Sequence, residues 1–405
     1  MSKPLTSRER ILRALKQREV DHVPCAFMAF SAMRGRCQDP YEVVEREIAM
    51  GLDSMLFIPS AWRNERPNHP DLRGLPVRLS VSVETELWLE QTSGRQFPVL
   101  HKAYHTPAGT LTTLVNKTDD WPHGNFVPFV DDYQIPRAIK PLVETRADLD
   151  VLRTMLLPPS DTDIKAFRAE ARLAHDFRDK HRVLLAGGWG VGADMAAWLC
   201  GLENVIIMAV DEPDLLKDLL SLIEGWNARR MRVILKAGVD LYVRRGWYEG
   251  TDFWSPRLYK EFLLPIIKRE AELAHGSGTS FGYIMTTGAL PLLDSILEAG
   301  VDVLIGVDPL QSGQHPLQTM RDKLGGRVCL WGGVNGAITV EEGSADEVRQ
   351  AVAHVLEVMR GVNGFILSPV DNVTEITLKA WRNVDAFVRT WKQLRRGMTC
   401  GDDPA

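Results

Sequence analysis

Apolar residues recur along this chain at two periods that alternate, one of two residues and one close to 3.6. Val239-Asp-Leu-Tyr-Val243 is a short run with β-branched ends, set between Gly238 and Gly246, and it predicts a strand. Ser255 and Pro256 follow as a helix N-cap and first helical residue. Leu258, Phe262, Leu263, Ile266, Ile267 and Ala271 then form one apolar face of that helix. Beyond His275-Gly-Ser-Gly278 the period returns to two, predicting a strand over 279–285, and Thr286-Thr-Gly288 opens a further helix. The same alternation predicts strands at 25–30, 54–58, 183–186, 302–305, 327–330 and 365–367. Capping boxes at Thr6–Glu9 and Ser344–Glu347 mark two of the helix starts. Eight strands separated by helix-length segments predict parallel pairing and a closed (β/α)8 TIM barrel.

The pattern changes between about residues 63 and 140. Val81-Ser-Val-Glu-Thr-Glu-Leu-Trp88 and Gly109-Thr-Leu-Thr-Thr-Leu-Val115 alternate as strands, with Thr106-Pro-Ala-Gly109 as a turn between them. This predicts an antiparallel β insertion in the N-terminal third of one barrel domain spanning 1–397, followed by a frayed tail over 398–405.

Composition narrows the function classes. A hydrophobic share of 45% and a charged share of 25% are those of an ordinary globular protein. A formal net charge of -5 argues against nucleic acid or an anionic membrane as the main partner. No apolar run approaches the ~20 residues of a membrane span, and the N-terminus lacks a secretory apolar segment. Five scattered cysteines without a C-x-x-C pair fit free thiols in a reducing cytoplasm.

In a parallel barrel the residues just past the strand C-termini build the active site, and this rule selects the candidates. Arg244 and Arg245 follow one strand; a guanidinium fork suits a carboxylate or phosphate, and it equally suits capping carbonyls. Glu249 is a candidate general base, or the partner of one of those arginines. Tyr283 shares a strand face with Phe281 and Met285; if that face points inward, its phenol stands at the mouth, and in the opposite register it packs under a helix. Trp189, Trp247 and Trp331 form either an aromatic wall or half-buried core. Asp308, Asp371 and Asn372 follow two further strands, as site residues or helix caps. His101, His105 and His315 show no metal-ligand spacing, and Gly187-Gly-Trp-Gly190 does not match a dinucleotide fingerprint.

Several stretches resemble the uroporphyrinogen decarboxylase superfamily. Arg8-Glu-Arg-Ile-Leu-Arg-Ala-Leu with Asp21-His-Val-Pro24 is similar to its opening, and Phe253-Trp-Ser-Pro-Arg-Leu-Tyr-Lys-Glu-Phe-Leu-Leu-Pro265 to its central helix. Gly332-Gly-Val-Asn335, Glu342-Gly-Ser-Ala-Asp-Glu-Val348 and Gly364-Phe-Ile-Leu-Ser-Pro369 are similar to its last third. The resemblance implies either a decarboxylase or a methyltransferase serving corrinoid proteins and thiol or folate acceptors.

The departures matter as much. Where the methyltransferases typically hold zinc by a His-x-Cys pair and a late Cys, this chain has Tyr283-Ile-Met285 and Val370-Asp371, so no tightly bound zinc is expected. Arg34 and Arg36 occupy the loop that holds substrate carboxylates in the decarboxylases. The decarboxylase aspartate position, however, reads Phe57-Ile-Pro59, the loop tyrosine is replaced by Trp198, and the histidine loop reads Pro369-Val-Asp-Asn372.

The reading that follows is an enzyme moving a methyl or one-carbon group from a small methoxylated or methylated substrate to a corrinoid protein or tetrahydrofolate, with Tyr283, Glu249 or Asp308 protonating the leaving atom. A lyase using Arg34, Arg36, Arg244 and Arg245 on a carboxylated substrate is the alternative, and a non-catalytic binder of a corrinoid or aromatic ligand the third. A homodimer is compatible with all three.

Overall fold

The structure is a computed structural model that describes residues 4–59, 75, 77–91, 93–131 and 134–395. The expected start of the insertion near residue 63 and the expected tail at 398–405 lie outside the described residues. The first strand of the main sheet is β1 (Met55–Ile58). The chain then forms β2 (Arg78–Leu79), β3 (Glu84–Glu90), β4 (Val99–Thr106), β5 (Gly109–Asn116), β6 (Ala138–Lys140) and β7 (Leu156–Leu157). It returns to the main sheet with β8 (Leu184–Gly190), β9 (Leu241–Arg245), β10 (Ser280–Ile284), β11 (Val303–Val307), β12 (Cys329–Asn335) and β13 (Phe365–Val370).

These seven long-range strands pair in parallel in the order β1-β8-β9-β10-β11-β12-β13, with helices covering the connections. Alternate side chains divide between two cores. Leu241, Val243, Ile284, Ile305, Trp331 and Ile366 form a small cluster on the concave face of the curled sheet. Tyr242, Phe281, Tyr283, Leu304, Leu330 and Phe365 join the main core on the other face. Burial on both faces explains why the strands read as nearly continuous apolar runs.

The eighth strand expected at 25–30 does not form a ladder. This segment makes isolated parallel bridges to β13, Cys25 with Leu367, and Ala29 with Asn372 just beyond the strand. Two of its backbone groups go to side chains instead: the Cys25 N–H donates to Asp53 Oδ2 at 3.1 Å, and the Ala26 carbonyl accepts from Trp331 Nε1 at 2.8 Å. The ladder is therefore a curled parallel sheet of seven strands, and the segment 25–30 lies beside it, with Ala26 N–H donating to the Leu367 carbonyl at 3.0 Å and the Cys25 carbonyl accepting from the Asp53 N–H at 2.7 Å, without forming an eighth strand.

The insertion carries a four-stranded antiparallel sheet in the order β3-β4-β5-β6, while β2 pairs with β7. Of its two inner strands, β4 departs from the sequence expectation, because His101, Lys102 and His105 give it a polar look. Lys102 is nevertheless buried, with its Nζ donating to the Val127 carbonyl at 2.6 Å and lying 4.1 Å from the Phe126 ring centre.

The capped helix after β9 begins as expected, with Ser255 Oγ accepting from the Leu258 N–H at 3.3 Å. It then widens into a π turn over Tyr259–Leu263 before the helix Leu264–His275. Pro265 explains the widening, since it has no N–H and its ring crowds the carbonyl four residues back. Among the described residues no single helix is long and apolar enough to cross a membrane.

Candidate active site

A cavity of about 720 Å³ opens at the C-terminal ends of the main strands. Its apolar floor comes from Ile284 on β10, Ile305 on β11, Trp331 on β12 and Met28 from the N-terminal segment. Trp189 on β8 and Trp247 just after β9 form a wall, with ring centres 5.7 Å apart and planes at 69°. Trp331 is fully buried and fixed by its bond to the Ala26 carbonyl. Gly306 lies where β11 shifts register, at φ +97°; a Cβ there would stand 2.9 Å from Thr286 Cγ2 and 3.0 Å from the Met285 carbonyl oxygen. Only glycine combines that backbone with so close an approach.

The polar side comes from the two ends of the chain. Asn372 Oδ1 accepts from the Ser31 N–H at 2.9 Å, and its Nδ2 donates to Ser31 Oγ at 2.8 Å. Arg34 follows on the same short helix and faces the cavity. Asp371 adopts a left-handed backbone at φ +67°, uncommon for any residue but glycine and best tolerated by Asp and Asn. Among the described residues its carboxylate has no hydrogen-bond or ion-pair partner, and it opens onto the cavity. The surrounding protein raises its proton affinity, helped by the negative charge of Glu341 and Asp308. Glu341 accepts from Thr374 Oγ1 at 3.0 Å and from the Glu375 N–H at 2.9 Å. Asp308 accepts from Asn335 Nδ2 and the Leu310 N–H, both at 2.8 Å; burial outweighs these bonds and raises its pKa.

A second polar cluster lies behind the sheet, under the helices. Arg244 Nε donates to Glu270 Oε2 at 2.6 Å, and its Nη2 donates to Glu249 Oε1 at 2.8 Å. The other Glu249 oxygen accepts from Arg244 Nη1 and from the Tyr283 hydroxyl, the latter at 2.6 Å. Asn227 Nδ2 donates to Glu270 Oε1 at 2.7 Å, and the Ala193 N–H donates to Glu249 at 2.8 Å. Arg244, Glu249 and Tyr283 are fully buried. Burial works against the Arg244 charge, but Glu249 and Glu270 outweigh it and hold the guanidinium well above its usual pKa. Burial, then the Glu249 charge, pushes the Tyr283 phenol far up.

Arg34, Trp189, Trp247, Trp331, Asp371 and Asn372 line the cavity. Tyr283 does not stand at the mouth, because Gly282 and Ile284 are the inward residues of β10. Gly282 is small where a Cβ would stand 3.1 Å from Ile305 Cδ1, while Phe281, Tyr283 and Met285 fill the space behind. Glu249 and Arg244 belong to that rear cluster, not to the cavity lining.

Arg245 is inward on β9 but fully buried, with Nε 3.6 Å from Asp194 Oδ2 and its guanidinium 5.9 Å from the Trp247 ring centre. Asp194 Oδ1 also accepts the Tyr248 N–H at 3.0 Å; burial, then the Glu249 charge, raises the Asp194 pKa to about 7. Arg36 turns away and stacks 3.7 Å above Trp381 in a separate groove. Asp308 stands beside the cavity, held by Asn335. Sequence reasoning missed Glu341, Ser368 and Thr374; the rule that residues past strand ends line the mouth, extended into the π turn Gly336–Glu341, would have found Glu341.

The positions where the resemblance places zinc ligands do not converge. Tyr283 and Met285 pack behind the sheet, while Asp371 faces the cavity. Cys25, Cys37, Cys200 and Cys329 are buried free thiols, and none lines the cavity. Among the described residues no three His, Cys, Asp or Glu side chains gather as a metal-ligand set. The side chains at this site thus do not fit a zinc–thiolate centre.

Residues 124–394 match the family described as uroporphyrinogen decarboxylase (URO-D). A methyltransferase from Methanosarcina mazei has a similar structure, with a TM-score of 0.60 at 16% identity, covering 96% of this chain and 99% of that one. A B12-independent methionine synthase from a Shewanella species is similar over 56% of this chain and 65% of its own, at 11% identity and a TM-score of 0.38. No curated protein sequence matches the chain. At such identities the structural likeness shows the fold alone.

Proposed function

This chain belongs to the uroporphyrinogen decarboxylase family, and we propose that within it the protein is a methyltransferase, moving a methyl or one-carbon group from a small methylated or methoxylated substrate to a corrinoid protein or a folate. The observation that carries this reading is the cavity lining among the described residues: three tryptophans, a carboxylate with no partner among them, and Arg34 as the one cation. A decarboxylase acting on a polycarboxylate needs several cations facing its substrate. Of the four arginines that could have served, Arg36 stacks on Trp381, Arg244 lies behind the sheet and Arg245 is buried beside Asp194.

The residues would act as follows. The tryptophans hold the substrate's apolar body, Arg34 and the Ser31–Asn372 pair orient a polar end, and the acceptor approaches through the mouth. If the leaving atom is an oxygen, Asp371, with its raised proton affinity, is the lining group able to hold the proton for it, and Asp308 stands behind. The free thiols and the lack of a long apolar helix among the described residues support a cytoplasmic setting.

The test incubates the purified protein with methylated amines and methoxylated arenes plus a reduced corrinoid, and follows demethylated product by mass spectrometry. Product formation with at least one class is expected. Carbon dioxide release from a carboxylated substrate, with no demethylated product from any donor, would replace this reading with the lyase.

A further inference from the structure

Resting on the methyl-transfer reading, we infer that the cavity selects a methylated ammonium as its methyl donor. Two independent features of the lining converge on this class. One is charge. Asp371 and Glu341 both line the cavity and Asp308 stands close by, whereas Arg34 is the one cation among the described lining residues, and its charge also acts on the buried Glu47. Glu341 is held by Thr374 and Glu375 from the loop after β13, and Asp308 by Leu310 and Asn335, but the Asp371 carboxylate has no partner among the described residues. Its left-handed backbone fixes it at the end of β13, on the cavity side. The second feature is the corner made by Trp189 and Trp247, set at 69° to each other, with Trp331 beneath.

Indole faces carry negative potential, and a cation over such a face is stabilised without any hydrogen bond. A methylated ammonium spreads its charge over methyl groups that pack against rings, and a carboxylate such as Asp371 answers the net charge. A neutral methoxyarene would use the rings and leave Asp371 unmatched. A carboxylate or phosphate would be repelled by the same group.

The chemistry agrees with this choice. When a quaternary nitrogen gives up a methyl, the N–C bond breaks with its electron pair staying on nitrogen, and the carbon bonds to the pair of the acceptor nucleophile, here a reduced corrinoid. Nitrogen leaves as a neutral amine, and no proton moves. A methoxy oxygen would need a proton; Tyr283 and Glu249 point away from the cavity, so that work would fall to Asp371, the same carboxylate that a quaternary nitrogen leaves free to answer its charge.

The test is a tryptophan-fluorescence titration of the full chain with choline and with 3,3-dimethyl-1-butanol, its neutral isostere. Choline should bind about tenfold more tightly, the scale of a partly desolvated cation–aromatic contact. Asp371→Asn, which keeps a residue tolerant of the left-handed backbone, should remove most of that preference and leave the isostere's affinity within about twofold. Trp247→Leu should weaken choline as a second, independent reading. Equal binding of the two ligands, or a choline affinity unchanged in Asp371→Asn, overturns the inference. Mass spectrometry of choline incubated with reduced corrinoid separates it from its parent reading. A choline preference without demethylation keeps the ligand class and removes methyl transfer. Demethylation of a methoxyarene without a choline preference keeps methyl transfer and overturns the ligand class.

Discussion

Arg244 on β9 and Asp371 past β13 stand near the same ends of the same sheet, yet the protein treats their charges differently. Behind the sheet, Arg244 meets Glu249 and Glu270, and those carboxylates are further satisfied by Tyr283, Asn227 and the Ala193 N–H. In front, Asp371 looks into the cavity with no partner among the described residues. Burying an ion without matching it costs several kcal/mol, so a closed rear cluster is what a stable fold requires. An unmatched carboxylate survives only where water, or a ligand, reaches it. The contrast separates charges satisfied within the fold from a carboxylate left open to the cavity, even though both sets lie at strand ends.

The strongest way to break this contrast is Arg244→Leu. It strands two buried carboxylates and should cost about 3–5 kcal/mol in urea unfolding, whereas Asp371→Asn should stay within about 0.5 kcal/mol of the parent. Similar losses for the two variants would erase the distinction. A second effect concerns pH. The Asp194 pKa is raised to about 7 in the folded chain, so the stability it adds is complete below the ordinary carboxylate pKa and is lost as pH rises through about 7. Asp194→Asn should remove that part of the decline, read from unfolding midpoints between about pH 4 and pH 8; an unchanged slope would show that the proton is held elsewhere.

Tyr283→Phe removes one donor to a buried carboxylate. A stability loss of about 1.5–3 kcal/mol is expected, with turnover per folded molecule unaltered; a large fall in turnover at unchanged stability would return Tyr283 to the chemistry. The smallest effect is that of Trp189→Leu, which should weaken a cationic ligand by about 0.5–2 kcal/mol in the fluorescence titration. Unchanged affinity there would detach β8 from the binding wall.

Much of this division was legible in the sequence, and its limits have physical causes. The alternation of strand and helix located all seven strands of the main sheet, the strand-end rule selected the three tryptophans, Asp371 and Asn372, and Arg34 came from the family resemblance. Register was harder. Phe281-Gly-Tyr-Ile-Met285 is apolar on both faces, so no polar residue marks which side meets the helices, and a shift of one residue exchanges the two sets. That single ambiguity left Tyr283 open between the mouth and the space behind the sheet. The same limit applies to Arg244 and Arg245, which sit side by side in sequence and on opposite faces of β9. Strand β4 escaped notice because Lys102 reads as surface, and only the fold supplies the Val127 carbonyl that makes its burial tolerable. The segment 25–30 reads as a strand by composition, but Asp53 and Trp331, distant in sequence, claim two of its backbone groups.

The hydrogen bonds between Ser31 and Asn372 join residues 341 positions apart, and Ala26 depends likewise on Trp331. During synthesis the first part of the binding pocket leaves the ribosome long before its counterpart exists. A nascent chain halted between β12 and β13 therefore carries the three tryptophans and Arg34 without the Asp371 and Asn372 that complete the cavity. Closing so long a loop is slow relative to local helix formation. Capacity to bind should thus arise last and all at once, making ligand affinity a stringent reporter of chain completion, and loss of even the last strand should silence the molecule while much of its helical content remains.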